Sequence, residues 1–248
     1  MNGRWPNTGI AWPAGGGQVL WTPANEPTVI AWFDETLTSS IVLSSGSVSQ
    51  WTSRVGPMVL AEGTQANMPT KEAGWLRFNN QRLLGTRLAG SLFFVVRPIT
   101  GSVNYGFVAG RPPGDLEPMT LSYDEAGVSF FYSYGVGMDV FREDGTAVVP
   151  PPVWESAKPT NNIRTPSASW GTPIMVGANY PVDINSQGLG GLAFSSAGSR
   201  MLLAQYVILS GHPTLGLYQQ LEGWAAHAYG TTAKLPAGHP YKTVPPYV

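Results

Sequence analysis

The chain has 248 residues, 43% hydrophobic and only 12% charged, with 30 Gly, 22 Pro and no Cys. A net charge of −1 without any basic run excludes a surface built to neutralise nucleic-acid phosphates. The missing cysteines exclude disulfides, thiol catalysis and thiolate metal sites, and fit assembly in a reducing compartment. With few charges and many aromatics there is enough apolar surface to offset chain entropy, so the composition predicts a folded, turn-rich β protein.

Residues 1–27 predict an extended arm. "RWP", "AWP" and "LWTP" recur within it, and proline biases its neighbours toward extended backbone. Its Trp5, Trp12 and Trp21 are too apolar for a solvated linker; they either pack on the chain's own sheets or dock on a neighbouring subunit. The opening "MNGRWPNTGIAWPAGGG" lacks the basic region and apolar run of a signal peptide. No stretch approaches the roughly 18 apolar residues of a membrane span, so neither membrane nor export is expected.

From residue 28 onward the pattern predicts strands. "TVIAWF" (28–33), "SIVL" (40–43), "SVSQW" (47–51) and "WLRF" (75–78) are β-rich runs between turn residues. "SLFFVVRP" (91–98) is continuously apolar, as a strand buried on both faces would be. "MTLSY" and "VSFFYSYG" flank the turn "DEAG". "MDVFRE" and "TAVV" flank Asp144-Gly145, a pair suited to a type I′ hairpin. A Pro/Asn-rich loop is expected over about 150–171, followed by strands "PIMVGAN", "GGLAF" and "MLLAQYVILS". The total is roughly a dozen strands at the spacing of a sandwich or barrel.

The period then changes. Leu217, Leu221, Trp224, Ala225 and Ala228 form a helical stripe, predicting a helix over about 214–229. Thr214 suits its N-cap and Gly230 the left-handed position that ends it. Gly223 inside the helix costs about 1 kcal/mol relative to Ala, which points to a close backbone contact. So short a helix is marginal alone and must lie on the sheets.

The ending "LEGWAAHAYGTTAKLPAGHPYKTVPP" resembles the closing motif of concanavalin A-like jelly-roll domains of the laminin-G-like group, found in bacterial surface proteins and phage virion proteins. It presents "AQYVILS" (204–210), "EGWAAHAYG" (222–230), "LPAGHPY" (235–241) and Pro245-Pro246 in the family's order. "AWFDETLTSSIVLSSGSVSQWTSRVG" (31–56) is similar to the family's opening, and "WLRFNNQRL" and "SLFFVVRP" follow where its next core strands stand. The chain departs from the pattern at Ala226 and Ala228, where a larger apolar residue and a Lys are usual, and in "TSRVGPM" after "VSQW". The resemblance implies an all-β fold over 28–248: a two-sheet antiparallel jelly-roll sandwich with one C-terminal helix and an extended N-terminal arm.

Candidate chemistry is sparse. Glycosidases of this superfamily need paired carboxylates on one strand about 5–5.5 Å apart for retention. The E-x-D-x-x-E run that supplies them is absent; Asp115 and Glu117 lie in an expected loop, and Asp124-Glu125 in a turn. "VDIN" (Asp183, Asn185) is a faint echo of a lectin Ca2+ loop without companion carboxylates. His212, His227 and His239 could meet near the C-terminus, but the resemblance places His227 and His239 at structural positions. No G-x-S-x-G elbow occurs. No catalytic residue, metal or cofactor is therefore assigned. Trp32, Trp51, Trp75 and Trp224 are expected in the core, leaving Trp154 and Trp170 as the candidates for a sugar-stacking platform.

The expectation is a non-enzymatic structural protein of a phage virion, a capsid decoration or tail component assembled in the host cytoplasm. Its partners would be other virion proteins or copies of itself, met through the arm tryptophans, with host-surface glycans as a further contact. The alternative is a carbohydrate-binding module of a bacterial surface or secreted protein.

Overall fold

The computed structural model describes residues 19–79, 81–85, 91–99, 105–110, 119–124, 130–134, 140–148, 152–155, 158–164, 173–179, 187–189 and 200–248, some strands by their backbone alone. In chain order the strands are β1 (Val29–Asp34), β2 (Ile41–Ser44), β3 (Ser47–Thr52), β4 (Val59–Ala61), β5 (Thr70–Glu72) and β6 (Trp75–Asn79). Next come β7 (Leu83–Gly85), β8 (Ser91–Pro98), β9 (Tyr105–Gly110), β10 (Met119–Asp124), β11 (Phe130–Tyr134) and β12 (Val140–Glu143). The set closes with β13 (Thr146–Val148), β14 (Pro152–Glu155), β15 (Lys158–Arg164), β16 (Ile174–Asn179), β17 (Gln187–Leu189) and β18 (Arg200–Leu209), followed by helix α1 (Leu215–Ala228).

All 18 strands belong to one antiparallel network, so the protein is all-β with a single C-terminal α-helix among the described residues. Its hub is β18. One edge pairs with β8 along nearly the whole strand, from Leu209↔Ser91 to Met201↔Pro98. The other edge is shared by β1 on the C-terminal half and β6 on the N-terminal half. From β8 the pairing continues through β16 and β12 to β13. A second run reads β2, β3, β4, β7, β17, β9, β10, β11, β15 and β14. Strand β5 joins the two, pairing with β6 and touching β3 at Thr70↔Ser47.

The apolar run in β8 explains why this layer is buried on both faces. Leu92, Phe94 and Val96 enter one cluster with Trp51 and Val48 of β3, Leu60 of β4 and Leu83 of β7. Phe93 and Val95 point the other way, into a cluster completed by Leu217, Leu221 and Trp224 of α1. Strand β18 does the same with a complication. Met201, Leu203, Tyr206 and Ile208 share the first cluster although Leu203 and Tyr206 are three apart. A register shift between Leu203 and Gln205 resolves this, because one extra residue inverts the alternation of faces.

Most of the strands read from the sequence are present within a residue or two. The expected loop over about 150–171 is not one: β14 and β15 occupy much of it. "KPTNNIR" has little intrinsic β preference, and it is held as a strand by β11 on one edge and β14 on the other. Strands β4, β5 and β7 escape sequence reading because three residues cannot display an alternation. "GGLAF" lies outside the described residues. At the Asp144-Gly145 turn φ is 47° and 86°, positive at both positions as the type I′ hairpin requires.

Candidate functional site

The helix and the tail behind it close the layer around β18. Thr214 caps α1, its Oγ1 accepting from Leu217 N at 3.2 Å. Leu221 is fully buried, and Trp224 meets Trp32 edge-on with centroids 5.6 Å apart. Ala225 and Ala226 are also fully buried, so small side chains bring the helix close to the sheet. Gly223 faces the tail: a Cβ there would lie 2.3 Å from Tyr241 Cβ. This is the close contact its presence in a helix implied. Gly230 ends the helix with φ +67°.

A buried ion pair ties the tail down. Glu222 accepts from Arg142 Nε at 2.6 Å and from Nη2 at 3.0 Å, a two-pronged contact between α1 and β12. His239 Nδ1 accepts from Tyr241 N at 3.3 Å, which leaves its Nε2–H to donate to Glu222 Oε2 at 3.2 Å. Beside it, Lys234 bridges Pro173 O at 2.7 Å and Asp144 Oδ2 at 3.3 Å. Burial pushes the Asp144 carboxyl above its ordinary range, against the Met175 N–H and Lys234, which lower it. "LPAGHPY" is thus the strap that fixes the β12–β13 hairpin against α1.

A second buried network lies where β1 runs beside β18, on the face that α1 covers. Trp32 Nε1 donates to Gln205 Oε1 at 2.7 Å, and Gln205 Nε2 donates to Asp34 Oδ1 at 2.8 Å and to Tyr229 Oη at 2.7 Å. Arg54 pairs with the fully buried Asp34 and lies 4.1 Å over the Trp32 ring. The "TSRVG" segment therefore serves the core through Ser53 and Arg54, since Ser53 Oγ accepts from Trp32 N at 2.8 Å.

One cleft of about 460 Å3 opens where α1 begins. The turn before β1 supplies Glu26 and Thr28, the end of β18 Ser210, and the helix head His212, Pro213, Thr214, Gly216, Leu217 and Gln220, with Tyr241 from the strap. Glu26 Oε1 accepts from Thr28 N at 3.0 Å and Thr28 Oγ1 at 2.8 Å, and Ser210 Oγ donates to Thr28 O at 3.2 Å. The walls offer hydroxyls, an amide, a carboxylate and the His212 imidazole, and no Lys or Arg. Sequence reading missed this cleft because its residues come from three separate stretches of chain, each unremarkable alone.

The residues singled out from the sequence fall elsewhere. Trp21 is only 5% exposed and packs in its own chain's helix-side cluster, at the base of the arm; Trp5 and Trp12 lie outside the described residues. Trp154 is on β14, opposite Pro159, and not on a loop, while Trp170 lies outside the described residues. Asp115, Glu117, Glu125, Asp183 and Asn185 also lie outside them. Trp32, Trp51 and Trp224 are core residues, and Trp75 is half-buried under Arg97, 5.2 Å from its ring. The three histidines do not converge. His212 borders the cleft, His227 Nε2 lies 2.9 Å from Tyr241 O, and His239 is in the strap cluster. Among the described residues no three His, Cys, Asp or Glu side chains group as metal ligands, and no helix is long and apolar enough to cross a membrane.

No family model matches the chain, and no curated protein matches it. A solved structure that superposes on it is the Trypanosoma rangeli sialidase in complex with 2-keto-3-deoxy-D-glycero-D-galacto-2,3-difluoro-nononic acid, at 13% identity and a TM-score of 0.46. The match covers 79% of this chain and 32% of that one, so the chain spans about a third of the enzyme's length. The expectation of a non-enzyme does not stand beside this finding, since the superposing structure is an enzyme. At that TM-score the likeness brings neither activity nor active-site residues to this chain.

Proposed function

We propose that the protein is a structural component of a phage particle, a capsid decoration or tail protein with a concanavalin A-like jelly roll. It is joined to other virion proteins or to copies of itself through the tryptophan-bearing residues 1–18, with host-surface glycans as a further contact. The observation that carries this reading is the way the arm's base is fastened. Leu20 bridges Tyr247, Trp21 N donates to Pro246 O at 3.0 Å, and Val248 N donates to Val19 O at 2.9 Å. Trp21 is thereby locked into the body, while Val19 and Val248 beside it are 65% and 71% exposed. The resemblance of the strap and opening motifs to virion domains, and the pairing of the first strand with the last, support the jelly-roll reading.

The test is truncation. A chain beginning at residue 19 keeps Trp21 and the Leu20 bridge, so it should fold with an unchanged melting temperature. It should remain monomeric by light scattering and fail to join particles that the full chain joins. A truncated protein that still assembles overturns the reading.

A further inference from the structure

We propose that the open edge of β2 is the surface on which residues 8–12 of a second copy of the chain add as a further strand. This rests on the reading above that residues 1–18 make the attachment, and it names the surface that receives them. Strand β2 pairs with β3 alone among the described residues. Ser44 and Ser47 face each other across a two-residue turn, with φ of 48° and 82° at Ser45 and Gly46, so they form the hydrogen-bonded pair that closes the hairpin. Val42 O is turned toward β3, where it accepts from Ser49 Oγ at 3.2 Å. The alternation points the N–H and C=O of Leu43 the other way, to the margin of the sheet. Leu43 lies opposite the fully buried Val48, which places it on the core-facing side, yet it is 53% exposed. Val42, on the outer side, is 48% exposed. The core therefore stops short of its own margin at β2. Sheet edges are ordinarily blunted by charge or proline, as β14 is by Pro152 and Glu155. Residues 36–53 hold neither.

What fits such an edge is a short, uncharged, apolar strand. Residues 8–12, "TGIAW", lie between Pro6 and Pro13, which cannot donate to a ladder, and their length matches the four residues of β2. Ile10-Ala11-Trp12 repeats Ile30-Ala31-Trp32, which lies within β1, so the chain already uses these three residues as a strand. Paired with β2, Ile10 and Trp12 share one face, and on the core-facing side they cover Leu43 and Ile41. Neither residues 5–18 nor residues 36–53 carry a charge, so burying one stretch against the other strands none. The six residues 13–18 span at most roughly 20 Å, which limits how far the receiving edge lies from Val19 of the donor. Each copy offers one donor segment and one edge, so the contact is head-to-tail and builds a ring or a filament.

The experiment follows the mass of the full chain by sedimentation and light scattering over a concentration series. The full chain should associate. Leu43→Lys puts a charge on the margin, and Trp12→Ala removes the largest side chain of the donor segment. Each should weaken association about tenfold or more at unchanged melting temperature. Mixed together, these two variants should form 1:1 dimers, because one keeps an intact donor segment and the other an intact edge. Two β2 edges paired with each other would not give that complementation. A full chain that stays monomeric, a Leu43→Lys protein that associates as the parent does, or a mixture that fails to dimerise overturns the proposal. If the chain beginning at residue 19 fails to assemble while Leu43→Lys still assembles, attachment through residues 1–18 stands and only the β2 edge falls as its receiver.

Discussion

Removing the Glu222 carboxylate is the most severe test of how the strap is held. The Arg142 side chain is 6% exposed and that of Glu222 2%, and each satisfies the other through two hydrogen bonds. Glu222→Ala leaves a guanidinium buried without its counter-charge, with Gly145 O, 2.9 Å from Nη2, as its remaining acceptor in the cluster. It also strips His239 Nε2–H of its partner. Breaking one side of a buried ion pair typically costs about 3–5 kcal/mol. For a domain of this size each kcal/mol moves the melting temperature by roughly 2–4 °C, so the expected drop is roughly 6–20 °C by calorimetry. The double variant Arg142→Met/Glu222→Met removes both charges and should recover much of the loss, because well-packed apolar pairs often match buried ion pairs. A Glu222→Ala protein melting within about 2 °C of the parent would refute the argument.

Gly223→Ala should lower the melting temperature although alanine gains about 1 kcal/mol in helix propensity, since overpacking against Tyr241 Cβ costs about 1–3 kcal/mol; a higher melting temperature would show that the strap yields. Leu221→Asp puts a carboxylate at a fully buried position on the helix's inner face, and should give an unfolded or insoluble product by near-UV circular dichroism. A stable, soluble Leu221→Asp protein would disprove the docking of α1. Burial holds the His227 imidazole below its ordinary value of 6.5, partly offset by its backbone contacts with Tyr241 and Val244. The unfolded chain therefore takes up a proton there before the folded one does, and stability falls as pH drops below about 6.5 toward the folded value. His227→Gln should flatten that part of a melting-temperature profile, and an unchanged slope would rule His227 out as its source.

How much of this was legible in the sequence depends on the range of the interactions. The α1 stripe, its Thr214 cap, the Gly230 terminus and the reason for Gly223 follow from local rules that hold whatever surrounds them. The β8 run announces a doubly buried strand for the same reason. Strand β15 was hidden, since its Asn- and Pro-bearing sequence becomes a strand only because both neighbours pair with it. The bulge at Ala204 was hidden too, as an unbroken apolar run gives no sign of where its alternation inverts. Partners such as Arg142 and Glu222, 80 residues apart, could not be matched from spacing. The cleft was the least visible, because Glu26, Ser210 and Tyr241 become neighbours only when β1 lies beside β18 and the strap folds back over α1.

Leu20 and Tyr247 pair antiparallel, and Val19 and Val248 are hydrogen-bonded beside them, so the body of the protein is nearly a closed loop. A tight turn linking Val248 to Val19 would complete that ring in the manner of a hairpin. Fresh termini could then be opened at Ser45-Gly46, an exposed bend with φ of 48° and 82°. Circular permutants of this kind that lack residues 1–18 and still fold would show that the ring needs nothing ahead of Val19 to hold its shape.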